Sequence, residues 1–220
     1  MPRKSRPTFR DFFPYATLVQ KELARLYIPS GIKADEVRTT VALDVSYSKE
    51  RAFAAAVVSQ AKGKKMVEEQ TGVFGVHFPY IPGYLYLREA PSLLRVLAQV
   101  ESAYDLILVD AHGRLHPRRA GLATIVGVLM EKPAVGIAKS LLTGEARGEG
   151  RARPVFLRGE VEGLCLRDGR TFYASPGNMM SIGEIGKWLE GRDYAYPEEL
   201  ARADALSKKL RVISESGGPS

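Results

Sequence analysis

The chain is short of cysteine, of histidine and of long apolar runs, and each shortage excludes something. Cys165 is the one cysteine in 220 residues. An internal disulfide framework and a cysteine-ligated metal cluster are therefore both excluded. No apolar run approaches the ~18 residues that a membrane helix needs. The longest, such as Ala52–Val58 and Leu106–Val109, are strand-sized. Met1-Pro-Arg-Lys-Ser-Arg6 has no apolar stretch of signal-peptide type behind it. No internal repeat or low-complexity segment is visible. These absences predict a cytoplasmic protein without membrane contact. The length predicts one domain over residues 1–220, with a short basic N-terminal arm (Arg3, Lys4, Arg6, Arg10) and a frayed tail from Ser214.

What the chain does have is a surplus of basic residues. Lys plus Arg number 32 against 25 Asp plus Glu, a net charge of +7. That surplus points toward an anionic partner, nucleic acid first. Hydrophobic residues at 45% and charged residues at 26% are ordinary for a folded domain and argue against disorder.

The hydrophobic pattern changes along the chain. A helix is predicted from about Thr8 to Tyr27. Three strands separated by short turns follow, around Val41–Tyr47, Arg51–Val58 and Lys65–Val73, as in an antiparallel meander. Leu93, Leu94, Leu97 and Val100 share one helical face, which predicts a helix over Pro91–Glu101. Asp105–Asp110 reads as a strand buried on both faces, Arg119–Glu131 as a helix and Ala134–Ala138 as another buried strand, together a βαβ unit. Thr143–Arg153 reads as a loop, and Arg167-Asp-Gly-Arg170 as a hairpin turn between Gly163–Leu166 and Thr171–Ala174. Helices at about Ile182–Gly191 and Pro197–Leu210 close the chain. The fold class expected is α/β and ribonuclease-H-like, with a central mixed sheet, meander first and parallel strands next, flanked by helices.

Several acids stand where acids are costly. Asp44 interrupts the apolar strand Val41-Ala-Leu-Asp44-Val, so it is either paired or metal-bound, or it faces solvent on an edge strand. Asp110 ends the run Leu106–Val109, at the carboxyl end of a parallel strand where α/β sheets bind ligands; the alternative is a helix cap. Glu89 and Asp204 are unremarkable on their own. Carboxylates gathered from separate elements suit Mg²⁺, a hard cation with oxygen ligands. His112 and His116, with Asp110, suggest zinc, but Gly113 and Pro117 argue for a loop and no further ligand lies nearby. Arg114, Arg118 and Arg119 stand beside both histidines, as in a phosphate-facing segment or a solvated basic loop. Pro79-Tyr80-Ile-Pro82-Gly83 is a stiff loop carrying an aromatic, either a wedge between stacked bases or an ordinary packing turn.

Taken together, Val41-Ala-Leu-Asp44-Val-Ser-Tyr, Pro79-Tyr-Ile-Pro-Gly through Arg88-Glu89, Val109-Asp110-Ala-His-Gly through His116-Pro-Arg-Arg, Gly136-Ile-Ala-Lys139-Ser and Ser175-Pro-Gly-Asn resemble the endonuclease V family. They occur in family order over about residues 10–210. The resemblance implies a Mg²⁺-dependent endonuclease, with Mn²⁺ expected to substitute. It implies a monomer that recognises deoxyinosine in DNA, with inosine in RNA left open, and cuts the second phosphodiester bond 3′ to it. By motif, Asp44, Glu89 and Asp110 would hold metal, with Asp204 a fourth acid. Asp44, Glu89, Asp110 and Lys139 would be catalytic. Tyr80 would be the strand-separating wedge, and Gly83 and Leu85 would border the pocket of the flipped base. Pro82, Ala111, His112, Gly113, His116 and Arg118 would complete the substrate contacts. Ala111 stands where members commonly have Gly, Ile125 where many have His, and Asp204 where some have His. A nucleic-acid-binding protein with weakened catalysis and a structure-selective nuclease are the rival readings.

Overall fold

The computed structural model describes residues 9–216. The expected arm residues Arg3, Lys4 and Arg6 lie outside that range, as do the last four residues of the tail. The helices are α1 (Phe9–Arg25), α2 (Leu85–Leu97), α3 (Leu122–Leu129), α4 (Ile182–Glu190) and α5 (Glu198–Ser216). The strands are β1 (Thr40–Ser48), β2 (Arg51–Gln60), β3 (Lys65–Gly75), β4 (Leu106–Val109), β5 (Ala134–Ala138), β6 (Glu145–Ala146), β7 (Ala152–Leu157), β8 (Glu160–Asp168) and β9 (Arg170–Asn178). They form one mixed sheet in the order β3-β2-β1-β4-β5-β9-β8-β7-β6.

β1, β2 and β3 pair antiparallel, as the short polar turns between them require. β4 and β5 add parallel to β1, joined through α3, and β9 returns antiparallel to β5. The apolar runs of β1, β4 and β5 are covered on both faces. Val41, Leu43, Ile107 and Val109 pack with Leu93 and Val96 of α2 and Ile125 and Val126 of α3. Ala42, Leu106, Leu108, Val135 and Ile137 pack with Ile185 and Trp188 of α4 and Leu200 and Ala203 of α5. The molecule is thus a mixed sheet between two helical layers. This is the ribonuclease-H-like architecture expected from the sequence, a meander leading into parallel strands.

Three expectations are corrected by the structure. α2 begins six residues before Pro91 and contains it. Proline removes one backbone bond and crowds the preceding turn. The early turn is held instead by Tyr86, whose hydroxyl donates to the Ala16 carbonyl at 2.9 Å, and by burial of Tyr86, Ala90 and Leu93. Glu89 is therefore a helical residue. The stretch 143–153 is not all loop, because β6 and the start of β7 lie in it, and β7 pairs along β8 despite Pro154. Ser214–Ser216 are not frayed but close α5.

Candidate active site

Parallel strands of unequal reach build the site. Val109, the last residue of β4, pairs with Leu43 of β1 and with Gly136 of β5. The next residue, Asp110, donates its N–H to the Leu43 carbonyl at 3.1 Å, which places it beside Asp44. Even positions on β1 face the α5 layer, as Ala42 does, and Asp44 faces it too. β1 is flanked by β2 and β4, and Asp44 is only 9% exposed, so the edge-strand alternative is gone. α5 supplies the third acid. Carboxylate oxygens of Asp44, Asp110 and Asp204 lie within 4.8 Å of one another. No histidine belongs to this group, which removes the zinc alternative.

Lysines and a serine hold the acids. Lys139 follows β5, and its Nζ is 2.5 Å from Asp110 Oδ2 and 3.0 Å from Asp204 Oδ1. Lys208 Nζ is 2.6 Å from Asp204 Oδ2. Ser207 Oγ donates to Asp44 Oδ2 at 2.6 Å. Burial pushes Asp44 up to about 6, and the charges of Asp110 and Asp204 add to the push, while the Ser207 bond opposes it. Burial works against the Lys139 charge, but the bond and charge of Asp110, with Asp204, outweigh it and hold the ammonium above its usual range. At Asp204 burial is likewise outweighed, by the bonds from Lys208 and Lys139, and its carboxyl sits below the ordinary value.

Glu89 stands outside the group of three. It is carried by α2, on the opposite face of the sheet, and reaches the same sheet end. Burial, then the charges of Asp44 and Asp110, push it up to about 8. The Tyr47 hydroxyl is buried and makes no hydrogen bond of ordinary length, yet it lies close enough to Glu89 for each to shift the other. The Tyr196 hydroxyl is also buried and unbonded, in the field of Asp110 and Lys139. Tyr47 ends the first of the motifs, which assigns it no role, and Ser207, Lys208 and Tyr196 carry no sequence signal of their own.

A cavity of about 330 Å³ opens against the acids. Asp110 and Lys139 belong to its wall. Tyr80, Gly83, Leu85, Ala111, His112 and His116 complete much of it, with Gln20, Tyr86 and Leu142 added by the structure. Tyr80 is 65% exposed at its rim. Gly83 takes φ +82°, which L side chains rarely adopt, and lets the loop turn back over the cavity. Pro82, Gly113 and Arg118 are not part of the wall, and Pro82 is exposed. Gly113 is needed for packing, since a Cβ there would stand 2.0 Å from the Pro176 carbonyl oxygen.

The basic segment after Asp110 does not present a row of free cations. Arg114 forms a bidentate pair with buried Glu162 at 2.7 and 2.9 Å and stacks on Tyr27. Arg119 pairs with Glu160 at 2.6 Å and with Glu162 at 3.1 Å. Arg118 donates to the Gly83 carbonyl and to Gln20 Oε1, and stacks on Tyr84. Neither a free phosphate-facing row nor a solvated loop, the segment is a brace, and Arg118 fixes the loop that carries Tyr80 and Gly83 in place. His116 is buried, and burial together with Arg118 lowers it to about 4, so it is neutral at pH 7. Its Nδ1 accepts the Arg118 N–H at 3.2 Å, which leaves the proton on Nε2. His112 Nε2 contacts the Ser140 carbonyl at 2.8 Å, and its buried Nδ1 has no partner.

The sequence model of the endonuclease V family matches residues 21–205, nearly the whole described chain. The chain belongs to the endonuclease V family. It is accordingly a nuclease. Endonuclease V of Sulfolobus acidocaldarius is 36% identical over 179 residues, covering 80% of this chain and 85% of that protein. The crystal structure of endonuclease V from Streptomyces avermitilis superposes with a TM-score of 0.82 at 30% identity, covering 99% of this chain and 98% of that one. That of Ciona intestinalis, in complex with a 24mer DNA containing an inosine followed by a ribo-adenosine, has a TM-score of 0.82 at 25% identity, covering 91% and 98%. Within this family the acidic group suits a divalent metal. Its donors are all carboxylate oxygens, drawn from β1, the end of β4 and α5 and lying within 4.8 Å of one another.

Proposed function

We propose that the chain is a Mg²⁺-dependent endonuclease that takes the base of deoxyinosine out of DNA and cuts the second phosphodiester bond on its 3′ side. The observation that carries the reading is the shared wall. Asp110, a member of the acidic group, and Lys139, which pairs with it, both line the cavity, so a captured base and a nearby phosphate meet one set of side chains. A volume of about 330 Å³ fits a small aromatic ligand. Tyr80 at the rim fills the gap that the flipped base leaves, and unstacking costs least for a base already mispaired. Backbone groups at Gly83, whose carbonyl accepts from Arg118, and at Leu85 face the base edge. Inosine DNA bound to the Ciona relative supports the same substrate class.

Asp44, Asp110 and Asp204 would hold the ion, with Glu89 reaching the same centre from α2. When bound, a divalent ion supplies charge stabilisation at the phosphate and acidifies water. The chain's own residues do the rest. Ser207 orients Asp44, and the Lys139 ammonium stays charged through neutral pH and stabilises negative charge developing at the phosphate. His116, neutral and buried, fixes the loop and carries no charge to the phosphate. The test is a cleavage panel with inosine placed in single-stranded DNA, duplex DNA and RNA, each with and without Mg²⁺. Cutting confined to inosine substrates with Mg²⁺ supports the reading, and equal cutting of flaps or mismatches favours a structure-selective nuclease.

A further inference from the structure

On α5 the residues Asp204, Ser207 and Lys208 stand at positions i, i+3 and i+4, which share one helical face. Asp204 offers one oxygen to Lys139 at 3.0 Å and the other to Lys208 at 2.6 Å. Ser207 gives its hydroxyl to Asp44. An Asp–Lys pair one turn apart is ordinary on a helix and contributes little when exposed. This pair differs because its carboxylate is one of three that converge within 4.8 Å. Two ammonium groups, Lys139 and Lys208, face these three acids within bonding distance. Lys139 is the shared one, bridging Asp110 and Asp204. Lys208 serves Asp204 alone, and its side chain is 55% exposed, so it is free to turn away.

We infer that Lys208 is a positioning residue that holds Asp204 in the metal-free protein and competes with the incoming metal ion for Asp204 Oδ2. The inference rests on the reading of the acidic group as a metal centre. A metal ion bound through this oxygen exchanges an ammonium for a cation of higher charge. Lys208 therefore lowers metal affinity in the absence of substrate. A nucleic-acid phosphate near the site attracts the same ammonium and frees the carboxylate. Metal and substrate then favour each other's binding, and the coupling is reciprocal. The device keeps the acids compensated while the enzyme is empty and favours metal loading on substrate.

The test is Mn²⁺ binding to the metal-free full chain, followed by electron paramagnetic resonance without nucleic acid. Lys208→Met keeps the length of the side chain and removes its charge. It is expected to bind Mn²⁺ tighter by up to about fivefold, the size of a partly exposed ion pair. Lys208→Arg keeps the charge and is expected to bind as the wild type does. Unchanged or weaker Mn²⁺ binding by Lys208→Met overturns the inference. Asp204→Asn separates this failure from that of the underlying reading. If wild-type protein binds Mn²⁺ and Asp204→Asn binds it markedly less, the metal centre stands whatever Lys208→Met shows. If wild type and Asp204→Asn bind alike, the metal centre and the inference fall together.

Discussion

Ser207 Oγ lies 2.6 Å from Asp44 Oδ2 and ties the last helix to the first strand. Both partners are buried, and the bond is made to a carboxylate, the stronger kind. Ser207→Ala is expected to destabilise the protein by about 1.5–3 kcal/mol. Urea denaturation at neutral pH measures it. A change below a few tenths of a kcal/mol would mean that the bond does not hold α5 to the sheet.

Removing an acid of the central group has a different signature from removing its support. Asp44→Ala and Asp110→Ala are each expected to reduce cleavage on the order of a thousandfold or more, since metal-derived charge stabilisation amounts to several kcal/mol. Folding is retained, because each deletion also relieves repulsion among the three carboxylates. Circular dichroism with a single-turnover assay separates loss of chemistry from loss of fold.

Tyr80 and Gly83 test the loop that covers the cavity. Tyr80 is 65% exposed, so Tyr80→Ala should leave the melting temperature unchanged while weakening binding to an inosine duplex by about 1–3 kcal/mol. The loss should be smaller on single strands, where no stack has to be opened. Gly83→Ala imposes a side chain at φ +82° and sets its Cβ 3.0 Å from Arg118 Nη2. Strain of about 1–3 kcal/mol displaces the loop and lowers affinity for inosine substrate, read as a rise in Kd by fluorescence anisotropy.

The raised carboxylates make metal-free stability depend on pH. Glu89 sits at about 8 against an ordinary 4.5, and Asp44 at about 6 against 3.8. A carboxyl raised on folding contributes stability that is present below its unfolded value and lost as pH rises through its folded value. Metal-free protein should therefore lose stability through these two groups between about pH 4 and 8. His116, lowered to about 4, acts in the opposite sense, with stability lost as pH falls from about 6.5 to 4. Glu89→Gln isolates the first effect. Its melting temperature should fall less than that of wild type on going from pH 5 to pH 8, in the presence of a chelator.

Much of this was readable in the residues, and the failures have physical causes. An acid inside an apolar strand and an acid at a strand's carboxyl end were visible because both positions penalise charge. Structure was needed to show that β1 is central, which turns Asp44 inward. The order of strands and helices followed from the change of hydrophobic period. The start of α2 did not, because Pro91 reads as a boundary while burial of Tyr86 and Ala90 carries the helix through it. Arg114, Arg118 and Arg119 were legible as a basic segment but not as a brace. Their partners Glu162, Glu160 and Gln20 lie far away in sequence. Ser207 and Lys208 were silent for the same reason, since only folding sets α5 against β1.

The account turns on one site that joins captured base to metal-bound phosphate through Asp110. The most direct test is cleavage of a duplex bearing one inosine, beside the same duplex with adenine, by wild type and Asp110→Ala, in Mg²⁺ and in chelator. The account predicts a cut at the second phosphodiester bond 3′ to inosine by wild type in Mg²⁺ alone. Equal cutting of the adenine duplex, cutting in chelator, or a wild-type rate from Asp110→Ala would contradict it.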